Sequence, residues 1–67
     1  MLKNRIRVLR AEHEISQQIL AEAIGVSRQT INSIERGKFN PSVITALKMA
    51  GYFSVKVEEV FQLKEEE

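Results

Sequence analysis

The stretch from Ser16 to Gly37 constrains this chain more than any other. It reads SQQILAEAIGVSRQTINSIERG. Leu20, Ala21 and Ile24 on one side of Gly25, and Ile31 and Ile34 on the other, recur with the spacing of a helix face. A glycine after the last apolar position of such a pattern adopts a left-handed conformation without a Cβ clash, so Gly25 can end one helix and admit another almost at once. Ser16 and Ser27 each precede a pattern, where a hydroxyl takes up a free backbone N–H. The spacing predicts helices over 17–24 and 28–36, joined by a tight turn in which Val26 points inward. Ile31 and Ile34 anchor the second helix and leave Arg28, Gln29, Asn32 and Ser33 on its outward side.

That outward side has a specific chemistry. An arginine can pair bidentately with guanine O6 and N7, and a glutamine with adenine N6 and N7, from a helix seated in a DNA major groove. On an arbitrary helix such residues are usually plain solvated surface. Here they stand on the second of two capped helices separated by a glycine turn, which favours the reading role.

Length and composition narrow the remaining classes. The chain has 67 residues, enough for one domain spanning 1–67. A domain this small buries only about 60% of the surface its unfolded form exposes, and association with a second copy would offset that weakness. With no cysteine, neither disulfides nor a thiolate metal site can contribute. No apolar run reaches the roughly 20 residues of a membrane span, and no secretory leader is evident, so a cytoplasmic, nucleoid-associated location is expected. The net charge of +1 conceals an asymmetry. Residues 1–38 hold seven bases against four acids, a net of +3, whereas residues 39–67 hold three bases against five acids, a net of −2. A basic first half suits phosphates, and the acidic ending Glu65–Glu67 suits solubility or another partner.

Around the central pair the pattern predicts three more helices. The first covers 2–12, with Leu2, Ile6 and Leu9 on one face and His13 and Glu14 as the connection. Lys38, Phe39 and Asn40 form a loop, with Phe39 packed under it. Asn40 followed by Pro41 resembles an N-cap and first-turn proline, opening a helix over 41–52 whose apolar face is Val43, Ala46, Leu47 and Ala50. Gly51 is placed to end that helix early, leaving Tyr52 and Phe53 irregular. Residues 54–57 read as a loop rather than a strand, leading into a helix over 57–62 that turns Val60 and Phe61 inward. Val55, Val57, Phe61 and Leu63 read as core or as a dimer seam.

In this order and spacing the chain resembles the phage repressor and Cro-like helix-turn-helix family, the XRE-type transcriptional regulators. The resemblance runs through Arg5-Ile6, Leu9-Arg10, Ser16-Gln17, Leu20-Ala21, Ile24 to Ile31, Ile34 to Gly37, Asn40 to Ser42, Ala46 to Lys48 and Val57 to Phe61. It implies an all-α, five-helix, lambda-repressor-like domain with the motif at about 16–36. The chain departs from the family pattern at Ile19, where a glutamate would complete a capping box, at Gly51, at Ser54, where a terminating glycine is usual, and at Ile44, where a charge is common. Ile44 thereby marks a contact surface.

The resemblance implies roles for individual residues. Arg28 and Gln29 face base edges, Asn32 lies one turn deeper within reach of a base or phosphate, and Ser33 stands beside them. Lys38 and Asn40 match positions that grip the DNA backbone. Gln17, at a helix N-terminus, and the hydroxyls of Ser27 and Thr30 are expected to add phosphate contacts. Arg10 is expected to pair with Glu35 as a structural ion pair. His13 reads as loop surface. The function implied is sequence-specific binding of double-stranded DNA by a homodimer on a palindromic operator. A different class is an antitoxin-like module in which residues 54–67 and Ile44 engage a partner protein and DNA binding is secondary. An enzyme is disfavoured: there is no nucleophile–base pair, metal cluster or phosphate-binding glycine loop, and no cofactor is expected.

Overall fold

The computed structural model describes residues 2–64. In chain order the elements are β1 (Leu2–Asn4), α1 (Ile6–Glu12), α2 (Gln17–Ile24), α3 (Arg28–Glu35), α4 (Val43–Phe53), α5 (Val57–Val60) and β2 (Phe61–Leu63). The five helices carry the fold, and β1 and β2 add a small antiparallel sheet at one end.

Each helix of the central pair is bounded as its residues dictate. Ser16 is extended, and its Oγ accepts from the Ile19 N–H at 3.1 Å. Gly25, at φ 88°, is left-handed and closes α2 through its N–H to the Ala21 carbonyl. Ser27 repeats the cap, its Oγ accepting from the Thr30 N–H at 3.1 Å. At the far end of α3, Gly37 is left-handed at φ 73°. Its N–H donates to the Ile34 carbonyl, and the Lys38 N–H donates to the Ser33 carbonyl. These are the paired bonds of a Schellman ending, which turns the chain sharply back along the helix it has just left.

The core joins all five helices. Ile6 and Leu9 of α1 meet Leu20, Ala21 and Ile24 of α2, Ile31 and Ile34 of α3, Met49, Ala50 and Phe53 of α4, and Val60 with Phe61 at the end of the chain. An eight-residue helix such as α3 is unstable alone. Burying an isoleucine is worth about 1.5–3 kcal/mol, so Ile31 and Ile34 together outweigh that deficit.

Five expectations are corrected. Residues 2–4 are a strand, not the first turn of a helix. Leu2, Lys3 and Asn4 pair with Leu63, Gln62 and Phe61, and the Arg5 N–H donates to the Val60 carbonyl at 2.9 Å. The same pairing ends α5 at Val60, so 61–62 are strand rather than helix. The fourth helix starts at Val43, because Ser42 wins over Asn40 as its cap, with Oγ accepting from the Thr45 N–H at 3.1 Å. It also continues through Gly51 to Phe53, whose ring is buried in the core, and ends at Ser54 in the left-handed region. Val43 and Leu47, expected on its buried face, are exposed; Met49, Ala50 and Phe53 fill that role. The acidic ending Glu65–Glu67 lies outside the described residues.

Candidate nucleic-acid interface

α3 has two unlike faces. Ile31 and Ile34 are buried behind it, while Arg28 and Gln29 are exposed at its start, and Asn32 and Ser33 are half-buried one turn on. No described residue covers Arg28 or Gln29 by a hydrogen bond or ion pair among those the side chains form. The first turn of the helix therefore presents a guanidinium and a carboxamide, the two groups best shaped for bidentate contact with purine edges.

The position of α3 is set by polar contacts at its far end. Arg10 of α1 donates from Nε to Glu35 Oε2 at 2.6 Å and from Nη2 to Glu35 Oε1 at 3.2 Å. Gln17, the first residue of α2, donates from Nε2 to the same Oε1 at 3.2 Å. One carboxylate thus ties three helices together. Gln17, assigned to a phosphate, turns its side chain inward to this carboxylate. The short loop before α2 is held by the same cluster, since Arg10 Nη1 donates to the Ile15 carbonyl at 3.2 Å.

The remaining backbone-contact candidates lie around the α3 stripe. The Ser27 and Thr30 hydroxyls bond each other at 2.9 Å, so the cap also orders Thr30. Lys38 and Asn40 are exposed on the loop that leaves α3. Gln29, Thr30, Ser33, Lys38 and Phe39 line an open depression of about 300 Å³ beside the helix. Phe39 is a further correction: it is not packed beneath the loop but 55% exposed on the rim of that depression.

His13 is on the surface, as expected, yet it is not free. Its Nδ1 lies 3.0 Å from the Leu9 carbonyl, and its ring meets Phe53 edge-on at 5.1 Å. Among the described residues no cluster of three or more His, Cys, Asp or Glu could hold a metal ion. No described helix is long and apolar enough to cross a membrane.

Asn4 was not among the candidates, yet it completes the mounting of α3. Its Nδ2 donates to the carbonyls of Ile34 and Glu35, at 3.0 and 3.4 Å, and its Oδ1 accepts from the Ile6 N–H at 3.1 Å. A polar residue just before an amphipathic helix was a local signal for the bond from the Ile6 N–H. The bonds to Ile34 and Glu35 link residues 30 and 31 positions apart and leave no local trace.

Two capped helices meeting at a left-handed glycine, with the second mounted from behind and bare in front, define a helix-turn-helix DNA-binding domain. The chain belongs to the helix-turn-helix family, whose model matches residues 6–60. It is 46% identical over 66 residues to an uncharacterized HTH-type transcriptional regulator of Methanocaldococcus jannaschii, a match covering 98% of this chain and 100% of that protein. It is 48% identical over 65 residues to the uncharacterized HTH-type transcriptional regulator YgzD of Bacillus subtilis, covering 97% and 98% of the two chains. Among solved structures, the restriction-modification controller protein C.AhdI from Aeromonas hydrophila superposes with a TM-score of 0.76 at 34% identity, covering 82% of this chain and 83% of that one. The protein is accordingly a transcriptional regulator with a helix-turn-helix DNA-binding fold, in a family of regulators rather than enzymes.

Proposed function

We propose that this regulator binds a palindromic operator as a homodimer, reading bases with Arg28, Gln29, Asn32 and Ser33 and gripping phosphates with Lys38, Asn40 and the first turns of α2 and α3. The observation that carries this reading is the bare first turn of α3, where Arg28 and Gln29 are exposed while Ile31 and Ile34 are locked in the core. Phosphate contacts fix the register, and base contacts supply the preference. The dimer is supported by an unpartnered apolar surface at the start of α4, where Val43, Ile44 and Leu47 are 75%, 67% and 56% exposed. The protein acts where the chromosome is, in the cytoplasm.

Selection from a pool of random-sequence duplexes at two salt concentrations tests this. The expected product is an inverted repeat with half-site centres about 34 Å apart, bound less tightly at the higher salt. Absence of any enriched sequence would refute base reading. Ile44 also favours a second reading, in which the α4 surface meets a different protein. A solution mass of two chains supports the homodimer; a single chain recovered from its host in a stoichiometric complex with another protein supports the alternative.

A further inference from the structure

Phe39 is an aromatic ring left more than half exposed beside the base-reading helix. The Schellman ending at Gly37 puts it there by folding the chain back along α3. In such endings the residue after the left-handed position commonly makes an apolar contact with the last helical turn. Here those positions are Lys38 and Ser33, both polar, so the turn is sealed by its backbone bonds alone. Phe39 is not consumed by the turn, and among the described residues it has no aromatic partner. It faces the open depression that it shares with Gln29, Thr30, Ser33 and Lys38.

Gln29 and Ser33 are four residues apart and lie on one stripe of α3. If that stripe lies in a major groove, the Gln29 and Ser33 side of the depression lies toward the neighbouring base edge and its Lys38 side toward the phosphates. A major-groove edge carries only one apolar group, the C5-methyl of thymine, and aromatic or small apolar side chains are its usual partners. We infer that Phe39 reads a thymine methyl in each half-site, adding an apolar determinant to the polar ones of α3. This inference rests on the proposed base-reading role of α3.

The test replaces each thymine of the selected operator in turn with deoxyuridine, which removes the methyl and nothing else. For the wild-type protein, one position per half-site should weaken binding about fourfold, the worth of one buried methyl-sized group. Phe39→Ala should bind the thymine and deoxyuridine duplexes equally at that position, and Phe39→Leu should keep the preference. Indifference of the wild-type protein to every deoxyuridine substitution overturns the inference without needing any variant. So does a methyl preference that survives in Phe39→Ala, a loss in that variant that is equal on all sequences, as a sugar contact would give, or its conversion to a monomer. A wild-type protein that selects no sequence at all would instead overturn the base-reading role itself.

Discussion

Arg10 and Glu35 are unequal partners: the Glu35 side chain is 2% exposed and that of Arg10 is 16% exposed. The anion is therefore the deeper charge. Arg10→Ala strands that carboxylate with only the Gln17 amide as a donor. Glu35→Ala strands a guanidinium that keeps its bond to the Ile15 carbonyl and some access to water. Removing one partner of a buried pair costs about 3–5 kcal/mol, out of a total stability of about 3–10 kcal/mol for a chain of this length. Arg10→Ala should sit at the upper end of that range and leave much of the protein unfolded, and Glu35→Ala should be milder. Urea denaturation of the two variants checks the order; an equal or greater loss in Glu35→Ala would contradict it.

Asn4 ought to be just as selective about its replacement. Its amide faces two carbonyls at the C-terminal end of α3, where the helix dipole is negative. Asn4→Ala forfeits those bonds and the one to the Ile6 N–H, a loss of about 1–2 kcal/mol. Asn4→Asp keeps the last bond but turns a negative oxygen toward the two carbonyls, and should be the worse of the two at neutral pH. Thermal melting separates them, since 1 kcal/mol shifts the midpoint of a domain this small by about 4–8 °C.

The helix-turn-helix was legible in the sequence because every signal for it is local. Ser16, Gly25 and Ser27 act within four residues of where they stand, and α2 runs over the residues that its apolar spacing marks out. The terminal strands were not legible for the opposite reason. Leu2 and Leu63 are partners across almost the whole chain, and Leu2, Ile6 and Leu9 satisfy a helical spacing whether or not the first turn forms. On α3 the chemistry of the exposed residues could be read directly, but the bond from Gln17 to Glu35 joins residues brought together only by folding, and the outward placement of Phe39 follows from the turn at Gly37 rather than from its apolar character.

Gly51 is a case where packing overrides local preference, and it yields a gain-of-stability prediction. The glycine lies inside α4, exposed, and a Cβ added there would meet nothing within 4 Å. The helix passes through it because Phe53 is buried beyond it. Gly51→Ala should therefore stabilise the protein by about 0.5–1 kcal/mol, through the lower backbone entropy of the unfolded chain. An unchanged or lower melting temperature would mean that α4 is not continuous at this point.

Arg28 and Lys38 are expected to fail in different ways. Arg28→Ala removes a group suited to one purine, so it should lose about 1–3 kcal/mol on the preferred sequence and relax the choice at a single position. Lys38→Ala removes a charge that any phosphate would satisfy, so it should weaken all duplexes alike and lower the slope of log affinity against log salt by about 1. Repeating the selection and the salt titration with each variant checks both. Identical sequence preferences in the two variants would erase the division between reading and gripping residues.

The proposed dimer can be tested apart from the DNA. Val43, Ile44 and Leu47 fall within one and a half turns of α4, and none of them supports the core of its own chain. Leu47→Glu should leave the melting transition of the monomer nearly intact, because the side chain is already largely in water. Across a two-fold interface the same change places two carboxylates in apolar surroundings, since each copy contributes the same patch. Sedimentation should then show one chain for this variant and two for the wild-type protein. Affinity for the full operator should fall toward that for a single half-site, with the preferred bases unchanged, because the stripe on α3 is untouched. A Leu47→Glu protein that still sediments as two chains would move the interface away from α4.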